Sequence, residues 1–281
     1  MACQSRAMNE QDHVPPPAPG NRNTRFEAAR AWNDAMSLLK ANRQILTVLA
    51  GLFFLVPQVL MNALLPEVRP DLEGEAAAKA AIAIFGQWWP LIVLATLMQA
   101  TGLIAIVVLL ADRARPTVGD AIRRALQCLP AYVAATLVLM AGIVLFALMV
   151  MVPLTLVGGQ GGAAIAIVPI MAAALWINIR TLVLAPVIAA EQSRNPFEAL
   201  RRSWALTAGK GARILFFLML FVVAALVISI VATAVPGTIL IAALGQETGG
   251  AIVGLIEGFV SAALIMVWSA VIVAVYRQLA G

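Results

Sequence analysis

Two ionisable residues fall in stretches otherwise apolar enough to lie in lipid, Arg180 and Glu257. Charge at that depth is costly unless it is paired, hydrated or able to reach back to the surface, so each is a candidate for function. Arg180 has two readings. It either snorkels or bridges helices, or it lines a polar cavity for a lipid headgroup or a small anion. Glu257 reads as a carboxylate near the opposite interface or as a functional acid. The two differ in depth by more than one side chain spans, so no direct ion pair is expected. Asn178, with Gln99 and Asn62, offers hydrogen bonds between helices. General acid–base or metal chemistry would need more than this. The only histidine, His13, stands in a Pro-rich stretch, and Glu67, Asp71, Glu73 and Glu75 are strung along one loop. There is no Gly-rich phosphate loop, metal-ligand cluster or nucleophile–base pair. No catalytic residue, metal or cofactor is assigned, and no enzymatic activity is expected.

The elements that would position these residues are membrane helices. Of 281 residues, 62% are hydrophobic and 12% charged, with mean hydropathy +0.93; a soluble domain carries about 25% charged residues. The expected fold class is an all-α integral membrane protein. Residues 1–23 hold a Pro-rich run without apolar periodicity and read as a disordered cytosolic tail. No cleavable leader is expected, because the first apolar run begins near Ile45. Residues 24–281 read as one six-helix transmembrane domain. Its spans are placed at about 45–65, 90–111, 130–157, 163–190, 212–235 and 250–275, each long enough to cross a core about 30 Å thick.

A basic amphipathic segment precedes every second span, at 24–43, 117–129 and 195–210. In the clearest, Phe197, Leu200 and Trp204 share one helical stripe while Arg201 and Arg202 point elsewhere. In the second, Val118, Ile122, Ala125 and Leu129 oppose Arg123 and Arg124, with Thr117 as N-cap and Asp120 completing an approximate capping box. Asp34-Ala-Met, Asp120-Ala-Ile and Glu198-Ala-Leu occupy the same place in the three segments. The chain therefore reads as three repeats of an amphipathic surface helix plus a helical hairpin, at about 24–111, 112–190 and 191–281. A bland origin is also open, since any hairpin in a positive-inside protein tends to begin with a basic segment.

The stretches of chain that lead into the first, third and fifth spans, Arg113, Arg115, Arg194 and Arg213 included, hold with the two tails 16 of the 19 basic residues, which puts both termini in the cytosol. Cys3 and Cys128 then lie on the reducing side. Trp88 and Trp89 mark an interfacial belt, and Pro186 is a kink candidate in the fourth span. Gly250, Gly254, Gly258 and Ala262, four apart, form a smooth ridge suited to close helix packing, with a ligand groove as the less favoured use.

The run from Arg180-Thr-Leu-Val-Leu-Ala-Pro to Glu191, continuing into Asn195-Pro-Phe-Glu-Ala-Leu-Arg-Arg-Ser-Trp, resembles the signature of the bacterial glycerophosphoryl diester phosphodiesterase membrane-domain family. It is similar also to the related YciC-like inner-membrane proteins. Pro116-Thr-Val-Gly-Asp-Ala-Ile-Arg-Arg resembles the family's middle element. The resemblance implies a multi-pass protein of the bacterial inner membrane; some members carry a separate catalytic domain, for which this chain has no room. The expected role is non-enzymatic, in envelope or lipid homeostasis. Arg123, Arg124, Arg201, Arg202 and Trp204 would engage anionic lipid or a membrane-protein partner. Alternatives are a transporter of a lipid or small anion that uses Arg180, and an accessory subunit of a membrane complex. Nucleic acid is not an expected partner, because the basic residues are tied to membrane edges.

Overall fold

The computed structural model describes residues 26–66, 74–111, 117–191 and 195–280. The tail at 1–23, with Cys3 and His13, lies outside the described residues, as do Glu67, Asp71 and Glu73 of the acidic loop. The described residues are helical throughout, without strands: α1 (Ala28–Ala50), a π-turn (Gly51–Leu55), α2 (Val56–Leu64), α3 (Gly74–Ala111), α4 (Val118–Thr181), α5 (Leu184–Glu191), α6 (Pro196–Thr207) and α7 (Gly211–Ala280). Six stretches are long and apolar enough to cross a membrane: Ala28–Leu64, Gly74–Ala111, Val118–Gly159, Gly161–Glu191, Gly211–Gly245 and Thr248–Ala280. The expected all-α architecture with six spans is the one observed.

Two of the long helices are hairpins. α4 reverses at Gly159 (φ 54°, ψ −133°) and α7 at Gly245 (φ 83°, ψ 168°), backbone conformations that L side chains resist. A second glycine follows each tip, where the returning arm meets the outgoing one. A Cβ on Gly162 would overlap the Leu154 carbonyl, and one on Gly249 would press on Ile241 and Leu240. Glycine is therefore needed twice per tip, once for the dihedral angle and once for the approach.

The three basic segments join their spans in three different ways. In α1 the helix kinks at Asn42 (φ −121°, ψ 15°), between the amphipathic part and the span. The boundary expected at Pro130 does not exist: α4 runs unbroken from Val118 to the Gly159 tip, with Pro130 inside it. Membrane helices tolerate interior proline where neighbours can serve the freed backbone groups. α6 is the one detached surface helix, separated from α7 by a turn at 208–210. The expected span limits also move. Residues 80–87 belong to α3, and 236–244 continue the fifth span.

The protein core is concentrated at one end. Its largest fully buried side chains include Leu46 and Leu49 of α1, Ile104 and Leu110 of α3, Val187 and Ile188 of α5, and Ile214, Val271 and Val273 of α7. These are the ends that carry the basic segments. Towards the Gly159 and Gly245 tips, large apolar residues such as Met149, Leu156, Val168 and Val231 are exposed. The most apolar window of Thr248–Ala280 is 50% buried and that of Val118–Gly159 is 0% buried, so the sixth span is central and the third peripheral.

Away from the hairpin tips, close packing is tightest where Gly102 of α3 meets Phe53 and Phe54 at the π-turn; a Cβ there would collide with Phe53 Cβ, which has little freedom to retreat. By contrast, Gly250 has nothing within 4 Å. Gly102→Ala should therefore destabilise the protein by about 1–3 kcal/mol, the range for overpacking. Gly250→Ala should be neutral or slightly stabilising. Unfolding midpoints in detergent check both.

Candidate functional site

Between α4 and α5 the helix breaks at Leu182 and Val183, four residues before Pro186. A proline lacks the N–H that would bond to the carbonyl four residues back, and its ring collides with that carbonyl. The irregularity expected from Pro186 is thus present and short: Leu182 keeps helical dihedrals (φ −51°, ψ −42°), and the Val187 N–H bonds the Val183 carbonyl at 3.0 Å. Broken helices leave carbonyls unpaired, and one of them is taken up from outside: the Ser203 hydroxyl of α6 donates to the Arg180 carbonyl at 2.7 Å. The Thr207 hydroxyl lies 3.5 Å from the same oxygen and 3.0 Å from the Ser203 carbonyl.

α6 is built to deliver these hydroxyls. Asn195 caps it, its side chain accepting from the Phe197 N–H at 3.0 Å, and Pro196 takes the first helical position. Ala199, Ser203 and Thr207, spaced four apart, are all 0% exposed. The helix therefore docks on its small-residue face. Of the apolar stripe, Leu200 packs partly against the core, while Phe197 and Trp204 are 65% and 41% exposed.

The same device recurs in the other basic segments. Ala31 and Ala35 of α1 and Ala121 and Ala125 of α4 are fully buried, again four apart. Ala35, Ala121 and Ala199 each directly follow the acidic residue of the Asp34, Asp120 and Glu198 triplets. Small residues at this spacing let helix backbones approach closely. At the start of α4, Thr117 caps as expected, accepting from the Asp120 N–H at 3.2 Å; its hydroxyl donates to the Asp120 carboxylate at 2.7 Å.

Arg180 is part of the joint. Its guanidinium carbon lies 5.5 Å from the centroid of Trp176, a cation–π contact, and Nη1 reaches the Trp204 carbonyl at 3.5 Å. Trp176 and Trp204 themselves meet edge to face at 5.2 Å. A straight fourth span would leave Arg180 about 16 Å from Glu191 and deep in lipid. The fold-back of α6 also sets Arg180 beside the helix that bears Arg201 and Arg202. Asn178 is exposed, and the interhelical hydrogen bond expected of it is not observed.

At the far end of the joint, Arg202 Nε donates to Glu191 Oε1 at 3.1 Å, and the Tyr276 hydroxyl lies 3.5 Å from that oxygen. Arg277 Nη2 donates to the Leu110 carbonyl at 2.5 Å, tying the end of α7 to the end of α3. Arg123, Arg124 and Arg201 are exposed at this same end of the bundle. The glycine ridge packs where expected at two of its positions: Gly258 faces Leu55, Gln58 and Val59, and Gly254 faces Asn62. Glu257 is exposed on the flank of this ridge.

The fold and site define a multi-pass, all-α membrane protein with a basic, helix-capped end. Residues 154–280, which contain the whole joint, match the family model for the membrane domain of glycerophosphoryl diester phosphodiesterase. The resemblance read from Arg180–Glu191 and Asn195–Trp204 is thereby borne out, whereas the weaker middle element at 116–124 lies outside the matched stretch. The match is to a membrane domain and not to a catalytic one. No curated protein matches, and no solved structure matches.

Ser203→Ala leaves the Arg180 carbonyl with only the longer Thr207 contact. A loss of about 1 kcal/mol is expected, rising to about 1–3 kcal/mol when Thr207→Val is added, the range for stranding a buried acceptor. Thermal unfolding of the purified variants measures both.

Proposed function

We propose that the protein is a non-catalytic component of the bacterial inner membrane, with both termini in the cytosol. It would serve envelope or lipid homeostasis by presenting basic helices to anionic lipid or to a membrane partner. The observation that carries this reading is the orientation of α6. Its small face is used up against α4 and α5, so Phe197 and Trp204 are left facing outward on the same short helix as Arg201 and Arg202. An amphipathic helix with an outward aromatic stripe and flanking arginines suits the boundary between acyl chains and headgroups. Arg123 and Arg124 add charge at the same end of the bundle, and each basic residue near an anionic surface contributes about 1 kcal/mol of attraction.

The geometry favours this over transport through an Arg180 cavity. The Arg180 guanidinium is engaged by Trp176 and by the Trp204 carbonyl, and its backbone holds α6 in place. Those contacts suit a structural arginine.

Neutralising Arg123, Arg124, Arg201 and Arg202 together to glutamine should abolish the preference of the purified protein for phosphatidylglycerol over phosphatidylcholine, read as lipid retained after detergent extraction. Retention of the preference by the quadruple variant would contradict the proposal.

A further inference from the structure

A groove of about 490 Å³ lies between the first half of α1 and both arms of α7, away from α6 and the first turn of α4. Its walls include Trp32 and Met36 of α1, Phe217, Phe221 and Ala225 of the outgoing arm, and Leu264 of the returning arm. Every lining residue is apolar. Along α7 the lining extends from Phe217 to Ile228, about 16 Å at 1.5 Å per residue. That is close to one leaflet of a hydrocarbon core about 30 Å thick.

The groove also has a charged end. Arg213 lies four residues before Phe217 on the same face of α7, and Lys210 stands in the turn that leads into the helix, so both basic residues are at this end of the groove. Arg213 is exposed and Lys210 half-buried. Opposite them, Phe26 closes the end by stacking edge to face on Phe217 at 5.7 Å. The start of α1 is held there by Gln278, which bonds both the N–H and the carbonyl of Glu27 at 3.3 Å. The apolar channel is thus fixed between three helical segments, with Arg213 and Lys210 towards one end. That polarity matches a molecule with one anionic end and one long apolar tail.

We propose that this groove holds one acyl chain of an anionic phospholipid from the leaflet on the basic side, with Arg213 and Lys210 meeting its phosphate. The site is separate from the α6 surface described above and does not depend on that surface binding lipid.

The test uses the full chain in nanodiscs. Phosphatidylglycerol brominated on its acyl chains should quench the Trp32 signal, taken as wild type minus Trp32→Phe, at least twice as strongly as brominated phosphatidylcholine. Ala225→Trp, which fills the groove, should lower phospholipid retained through detergent purification by at least fivefold. Arg213→Gln with Lys210→Gln should keep the lipid but remove the headgroup preference. The quadruple α4 and α6 variant should leave Trp32 quenching unchanged, which separates failure of this site from failure of the α6 surface. Equal quenching by the two lipids would overturn the proposal, as would unchanged retention by Ala225→Trp. Occupation by a second copy, seen as a dimer lost on Ala225→Trp, would overturn it too. The quenching measurement stands even where Ala225→Trp fails to fold.

Discussion

One hydrogen bond organises the basic end of this protein: the Ser203 hydroxyl on the Arg180 carbonyl. In a lipid environment a helix cannot leave a carbonyl unpaired without a cost of several kcal/mol. The fourth span is interrupted just before Pro186, and α6 supplies a donor to the Arg180 carbonyl beside that interruption. Helix, break and cap are parts of one solution, which explains why they are adjacent in the chain. The consequences extend outward. Docking α6 by its small face turns its aromatic stripe outward, brings Arg202 to Glu191, and seats Arg180 against Trp176. α5, clamped beneath, becomes part of the core.

The distribution of buried residues follows from the same constraint. Lipid tails are as apolar as leucine, so burying leucine between spans gains little within the membrane. At the headgroup boundary burial against water gains more, and there α1, α5, α6 and the ends of α3 and α7 share a core. Towards the glycine tips the arms meet lipid with their large side chains. The result is a bundle knit firmly at its basic end and loosely elsewhere.

Much of this was legible in the residues. Apolar run length gave six spans, and Pro186 marked the break. The Arg180–Glu191 and Asn195–Trp204 signature located the stretch that the family model matches. Two things were not legible. A helical wheel shows that α6 has an apolar stripe, yet both the aromatic and the small faces are compatible with lipid, so the wheel cannot say which meets protein. The signal that decides it was present as the four-residue spacing of Ala199, Ser203 and Thr207, matched by Ala31 and Ala35 and by Ala121 and Ala125. Pro130 failed as a boundary marker because proline is tolerated inside a membrane helix, and α4 carries it through.

The central claim is that α6 docks through Ala199, Ser203 and Thr207 and turns Phe197 and Trp204 to the lipid. Nitroxide scanning of positions 197–207 in phosphatidylglycerol vesicles tests it directly. The account predicts strong collision with oxygen at positions 197 and 204, and strong collision with an aqueous nickel chelate at 198 and 205. It predicts little collision with either at 199 and 203. A label at 203 as accessible as one at 197, or a chelate accessible around the whole helix, would contradict it.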